Sequence, residues 1–568
     1  MRVLYYLLLI HVMLFSSGCG KKKEFPATNS GKYGGVLRIS TSQYFVNLFP
    51  PSINSMATFQ VSNHIYEGLV KIDKSDLQVK PSLANWETSK DGLEYTFHLK
   101  QNVYFHNNPC FSDSIGRFLT AKDVETSFYL LCTYGETNVA FNQSFRDKIE
   151  GATEYFEASK TGIPDFSISG LKVVNDSTFQ IKLLKPYSPF LYALTGPSAF
   201  IFPEEAFRKY GGRMNNNAVG TGPFILDKIT ADKTVHLIRN PRYWQKDKEG
   251  NQLPYLEGVM IETIEDPLAE FQAYKNNRID FINDVPKDFI EEVFNTENKL
   301  HGNYKNDQHK PVELLFTQYC DFNMSREIFK NKKVRLAFNH AIDKNLIIDY
   351  VIGKSDFKPA VHGITPPGIK KNYENNTIKG YVYDRPLAQQ LLAEAGYPGG
   401  ENFPVLQMEV VKRFTPEAEA IKKMLYDALN ITITILPVSS TFDMMESQKF
   451  GKSDLYFDGW YADYPDPETF LSLFYGKNVP QTLGESSYPN STRYVNKEYD
   501  QYYEAGLYSP DPQNSLKSFL MAETILMNDP PIITLYHSST NTLIKQNLKG
   551  YVPNPMEIRE FAEVYFDK

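Results

Sequence analysis

The chain holds side chains able to do covalent chemistry, but not in working arrangements. Its ten histidines are scattered, and His11 lies in an apolar leader. No two stand four apart, as the zinc pair of a His-Glu-x-x-His helix does. His98, on a strand, reads as a structural residue. A Gly-x-Ser-x-Gly elbow and a phosphate-cradling Walker loop are both missing from the sequence. Gly220-Thr221-Gly222 contains a Gly-x-Gly, but Pro223 removes an N–H needed for a phosphate, so a backbone bend is the better reading. Carboxylates are plentiful, and a glycosidase pair is not excluded by number; none stands in a recognisable setting. Beyond Cys19 the thiols are Cys110, Cys132 and Cys320. Cys110 and Cys132 either pair in an oxidising compartment or stay apart, and Cys320 reads as a small buried hydrophobe. No cofactor or metal is expected. The pattern points to binding rather than catalysis.

The elements that must position a binding site read as mixed α/β. Residues 35–40 and 93–100 read as strands, the second with Leu93, Tyr95, Phe97 and Leu99 on one face. Phe179, Ile181 and Leu183 alternate likewise, giving a sheet with one wet face. Further on the period lengthens. Residues 332–352 carry a helical stripe of Val334, Phe338, Ala341, Ile342 and Leu346. A helix is expected over 386–395, capped by Asp384 and closed by Gly396, and another over 416–430. Residues 431–435, 532–536 and 541–544 alternate as strands. Repeated helix-then-strand order means layered α/β architecture. Aromatics make up 14% of the chain, with 37 Tyr and 39 Phe, enough for large cores and an adaptable concave surface. A net charge of -7, evenly spread, gives no nucleic-acid stripe.

The N-terminus reads as targeting. Arg2 precedes the apolar run 3–15, which is too short for the roughly 20 residues of a membrane span but suits a signal segment. Ser16-Ser17-Gly18-Cys19 resembles the lipobox of bacterial lipoproteins, with Ser16 where Leu is usual. That resemblance implies lipidation at Cys19. Lys21, Lys22 and Lys23 would add attraction to anionic headgroups, about 1 kcal/mol each. The expectation is a chain held on the periplasmic or extracellular side of the cell envelope.

Several strings, in order, resemble family 5 extracellular solute-binding proteins, the oligopeptide- and dipeptide-binding components of ABC importers. They include Tyr66-Glu67-Gly68-Leu69, Asp91-Gly92, Gly220-Thr221-Gly222-Pro223-Phe224, Arg239-Asn240-Pro241-Arg242-Tyr243-Trp244 and Trp460-Tyr461-Ala462-Asp463. Residues 107–119 depart as an insert, read as a longer surface loop. The resemblance implies a bilobal, periplasmic-binding-protein type II-like fold with mixed sheets in two hinged lobes and an extra accessory domain. It divides the chain into a signal peptide (1–18), tether and first part of lobe I (19–70), accessory domain (71–200), second part of lobe I (201–321), lobe II (322–530) and the C-terminal part of lobe I (531–568). The implied partners are a small peptide and the permease subunits of an importer, with the protein acting as a monomer.

The matching Asp of peptide-binding relatives takes the ligand's α-ammonium, which assigns that role to Asp463; the other reading is that Asp463 caps the turn at Tyr464-Pro465-Asp466-Pro467. Trp460, Tyr461 and Ala462 are expected beside the ligand, with Ser55 and Met56 on the opposite edge. Tyr536 either lines the cleft or packs in a core. Some peptide-binding relatives carry an Arg where this chain has Phe457, which implies that a carboxylate contact of those relatives is missing here and that ligand length or class differs. Other cargo served by this fold, a nickel chelate, heme or an oligosaccharide, is the alternative; an envelope hydrolase is a third reading.

Overall fold

The computed structural model describes residues 31–567, apart from 45–46, 54, 136–137, 139, 212–213, 215–216, 232, 354–355 and 483. Cys19 and the leader lie outside the described residues. Among the described residues no helix is long and apolar enough to cross a membrane.

Two sheet-centred apolar cores organise the molecule, and a third of similar size to the second joins residues of both bodies, from Ile72 and Tyr192 to Phe519 and Ile558. The first surrounds a four-stranded mixed sheet in the order Val36–Thr41, Gly258–Thr263, Val235–Arg239, Phe224–Ile229. Val36–Thr41 runs parallel to Gly258–Thr263 because more than 200 residues of chain intervene, whereas the other strands pair antiparallel. A second sheet, antiparallel and in the order Ala84–Thr88, Glu94–Leu99, Thr178–Lys182, Leu171–Asn175, packs into the same core. Its period-2 pattern is the expected one: Tyr95, Phe97 and Leu99 point inward with Phe179 and Ile181.

The other main core surrounds a seven-stranded mixed sheet. Leu406–Val411 lies parallel to both Ile433–Val438 and Leu455–Tyr461. Helices cover it, among them Arg385–Glu394 and Thr415–Leu429. The Asp384 carboxylate accepts the Leu387 N–H at 3.0 Å, the expected cap, and Gly396 follows at φ +100°.

Two expectations need correction. The stripe over 332–352 is not one helix. Lys332–Ala341 ends at Ile342, which is extended, and the Asp343 carboxylate takes the N–H groups of Asn345 and Leu346 to start a new turn that passes into the π-helix Ile347–Ile352. A short acid competing for backbone donors broke the helix, and Leu346 is left exposed. The tail alternation is also misleading. Ile532–Ile544 is one strand, buried along almost its whole length. Two of its hydroxyls are bonded internally, Thr534 Oγ1 to the Ala360 carbonyl at 2.9 Å and Thr542 Oγ1 to that of Asn283 at 3.1 Å.

This strand and its antiparallel neighbour Gln308–Phe322 pass from one body to the other. Ile533 and Leu535 pack with Cys320 and Phe322 in the second core, while Ile544 ends in the first. Between Glu313 and Thr317 the register slips. The strands change body in mid-course, so residues 308–322 and 532–544 belong in part to each.

Cys110, Cys132 and Cys320 are all free thiols, Cys132 and Cys320 buried and Cys110 half-buried.

Candidate ligand-binding site

A cavity of about 1040 Å³ opens between the two bodies. Leu455–Tyr461 delivers one wall of it. This strand is hydrogen-bonded beside Gln308–Phe322, with Trp460 opposite Thr317 and Tyr461 opposite Phe316. The pairing runs one bond further, from the Ala462 N–H to the Leu315 carbonyl at 2.8 Å. The chain then turns, and Asp463 is presented to the cavity.

Thr469 fixes this corner. Its hydroxyl accepts the Asp463 N–H at 3.0 Å and the Trp460 Nε1–H at 3.2 Å, and donates to Asp463 Oδ2 at 3.2 Å. The turn that follows is capped by Asp466, which accepts the Glu468 N–H at 3.0 Å; Asp463 is not the cap. Among the described residues no cation lies within ion-pair distance of Asp463. Its side chain is accessible, yet the surface it shows faces the cavity, ringed by protein. That partial dehydration is the main reason its pKa is raised to about 6; the Thr469 hydroxyl lowers it and the charge of Glu468 raises it.

Behind Asp463 lies a phenol-lined recess. Glu468, buried, accepts from Tyr464 and from the Tyr503 hydroxyl at 2.5 Å. Lys148 faces it from the other body, its pKa drawn down to about 8 by burial against the opposing pull of Glu468.

The residues expected at the ligand fall into two groups. Trp460, Tyr461, Ala462, Asp463, Ser55 and Met56 all line this one cavity, although some 400 residues of chain separate the two sets. Ser55 is already engaged as the cap of helix Met56–Ser62, accepting the Thr58 N–H at 3.3 Å, whereas Met56 is exposed at its first turn. Tyr536 does not belong to the group. It is buried in the second core against the Phe357 ring, 5.4 Å away, because the strand carrying it is covered on both faces.

Sequence reasoning missed Thr469, Tyr187, Tyr192 and Glu468, which no motif flags.

At the far end of the cavity Glu67 is held differently. Its carboxylate accepts from Thr221 Oγ1 at 2.8 Å, Tyr243 OH at 3.0 Å and Trp244 Nε1 at 3.0 Å.

Residues 78–481 match the model of the bacterial extracellular solute-binding proteins, family 5. Heme-binding protein A of Haemophilus influenzae is 29% identical over 517 residues, covering 89% of this chain and 87% of that one. The dipeptide-binding protein of Escherichia coli is 25% identical over 529 residues, 91% of each. Among solved structures, the periplasmic binding protein DppA from Helicobacter pylori in complex with the peptide STSA superposes with a TM-score of 0.74 at 24% identity, over 94% of this chain and 99% of that one. The likeness fixes a two-lobed fold, with the cavity lying between the lobes. Joined to a family match that spans most of the chain, it makes this protein a member of the family 5 extracellular solute-binding proteins.

Proposed function

We propose that this protein captures small peptides in the interlobe cavity and hands them to the permease of an ABC importer. The observation that carries the reading is Asp463, an acid in the cavity wall with one hydroxyl partner and, among the described residues, no cation beside it. A peptide's α-ammonium supplies the missing charge. The pairing is strong where water is excluded: removing one partner of a buried pair costs about 3–5 kcal/mol. Strand addition along 458–461, beyond the stretch that pairs with Leu406–Val411, grips the backbone at about 0.5–1.5 kcal/mol per bond, which leaves side chains largely unread. In this reading Cys19 carries a lipid anchor on the outer side of the membrane. The protein works as a monomer without catalysis, and residues 71–200 form the accessory domain of the first lobe.

Heme is the second reading, favoured by the name of the Haemophilus influenzae relative and by the size of the cavity. A thermal-shift screen separates the two. Mixed tripeptides should raise the melting temperature by several degrees, and heme should leave it unchanged with no new Soret band. Stabilisation by heme alone would overturn the peptide assignment.

A further inference from the structure

We propose that the free edge of Leu455–Tyr461 is a ruler for its ligand, with Asp458 as the stop, and that it selects peptides of about three or four residues. The proposal rests on the peptide reading of the cavity and adds the ligand's length. The direction of the strand's backbone groups is fixed at both ends. The Ala462 N–H donates to the Leu315 carbonyl at 2.8 Å, and the Asn323 N–H donates to the Asp454 carbonyl at 3.0 Å. Backbone groups alternate in direction along an antiparallel pair, so the even-numbered residues turn toward Gln308–Phe322. The odd-numbered ones turn to the other edge. There Leu455 and Phe457 meet Leu406–Val411, whose pairing ends with Val410 opposite Phe457. Gly459 and Tyr461 lie beyond that pairing.

Gly459 is already half closed. In a continuing parallel ladder its N–H would donate to the Val411 carbonyl. It donates instead to Asp458 Oδ1 at 2.8 Å. The other oxygen of that carboxylate accepts from Gln448 Nε2 at 2.7 Å, and Gln448 is buried, which holds the acid in this pose. Asp458 thus stands where the next residue of a paired strand would be. What remains open to a guest strand is the N–H and carbonyl of Tyr461 and the carbonyl of Gly459. The line is closed further on as well. Past Val411 the chain turns through Lys412–Phe414, and the Phe414 ring packs on Phe457 with centroids 5.6 Å apart. The cavity lining stops at the same place: it takes Trp460 to Asp463 from this strand, and neither Gly459, Asp458 nor Val411. From Gly459 to Ala462 the edge is about 10 Å long, at about 3.3 Å per residue. A peptide with its α-ammonium on Asp463 covers that length with about three or four residues. The cavity's other volume lies toward the first body, beside Phe59, Tyr66 and Glu67, where it admits side chains and water.

A length series supplies the test. Alanine peptides of two to six residues are titrated into the full chain by calorimetry. Affinity should peak at three or four residues and fall about 30-fold or more at five and six. Affinity that holds or rises through six residues would overturn the ruler while leaving the peptide reading intact. Binding at no length would overturn the peptide reading, and the ruler with it. The stop is tested by Asp458→Ala, which releases the Gly459 N–H. The four- and five-residue peptides should gain at least threefold relative to the tripeptide, and Asp458→Asn, which keeps an acceptor oxygen, should restore the wild-type order. An unchanged length profile in an Asp458→Ala protein with a normal circular dichroism spectrum would remove Asp458 as the stop. The wild-type series decides the ruler whether or not that variant folds.

Discussion

Two carboxylates look into the same cavity and are treated in opposite ways. Glu67 is saturated: a threonine, a tyrosine and a tryptophan of its own lobe spend their donors on it. Asp463 has one threonine hydroxyl and open space. Loss of water raises the pKa of both, of Glu67 by burial and of Asp463 by its place in the cavity wall. The difference is whether the protein itself supplies the compensation. Where it does, the acid ties a wall together; where it does not, the wall has a vacancy of defined charge. A raised pKa alone therefore does not mark a binding residue, and the count of internal donors does.

The comparison breaks most visibly at Asp463. Asp463→Ala should weaken tripeptide affinity by more than 100-fold, about 3–5 kcal/mol by calorimetry, with little change in the circular dichroism spectrum. Glu67→Ala should do the reverse. It strands three donors, so denaturant unfolding should show a loss of about 2–3 kcal/mol, with affinity held within threefold. A variant at Glu67 that abolishes binding while folding normally would collapse the distinction.

The pH dependence sharpens it further. Binding needs the charged form of Asp463, so affinity should fall as pH drops through about 6 and be about tenfold weaker at pH 5. The smallest effect concerns stability. In the empty protein Asp463 has a folded pKa above its unfolded value, so its charge costs stability that appears as pH rises from about 4 to 6. Asp463→Asn should therefore raise the melting temperature of the ligand-free protein at pH 7. Partial exposure limits the gain to about 1 kcal/mol or less. The same change at pH 4 should have almost no effect.

The local elements were largely legible. Asp384 followed by Pro386 and closed by Gly396 marks a helix through backbone chemistry that operates within a few residues. Trp460 to Asp463 and the pair Ser55 and Met56 came from family resemblance, and no spacing rule could have joined them across the fold. What stayed hidden was set by distant packing. Thr469 looks like any helix threonine, and its hydroxyl matters only because the turn folds back on Asp463. Tyr187 and Tyr192 reach the cavity from another lobe. Tyr536 sits in an alternating run that reads as half-exposed, but helices and neighbouring strands bury both its faces. The stripe over 332–352 failed for a nearer reason, since Asp343 offers the backbone a cap that the hydrophobic periodicity does not register.

The most direct measurement is a calorimetric double-mutant cycle on the head of the ligand. One tripeptide and its N-acetyl form are titrated into the wild-type protein and into Asp463→Asn. If the acid receives the ammonium, acetylation costs more than 100-fold in the wild type and less than threefold in the variant. An equal penalty in both proteins would contradict the account.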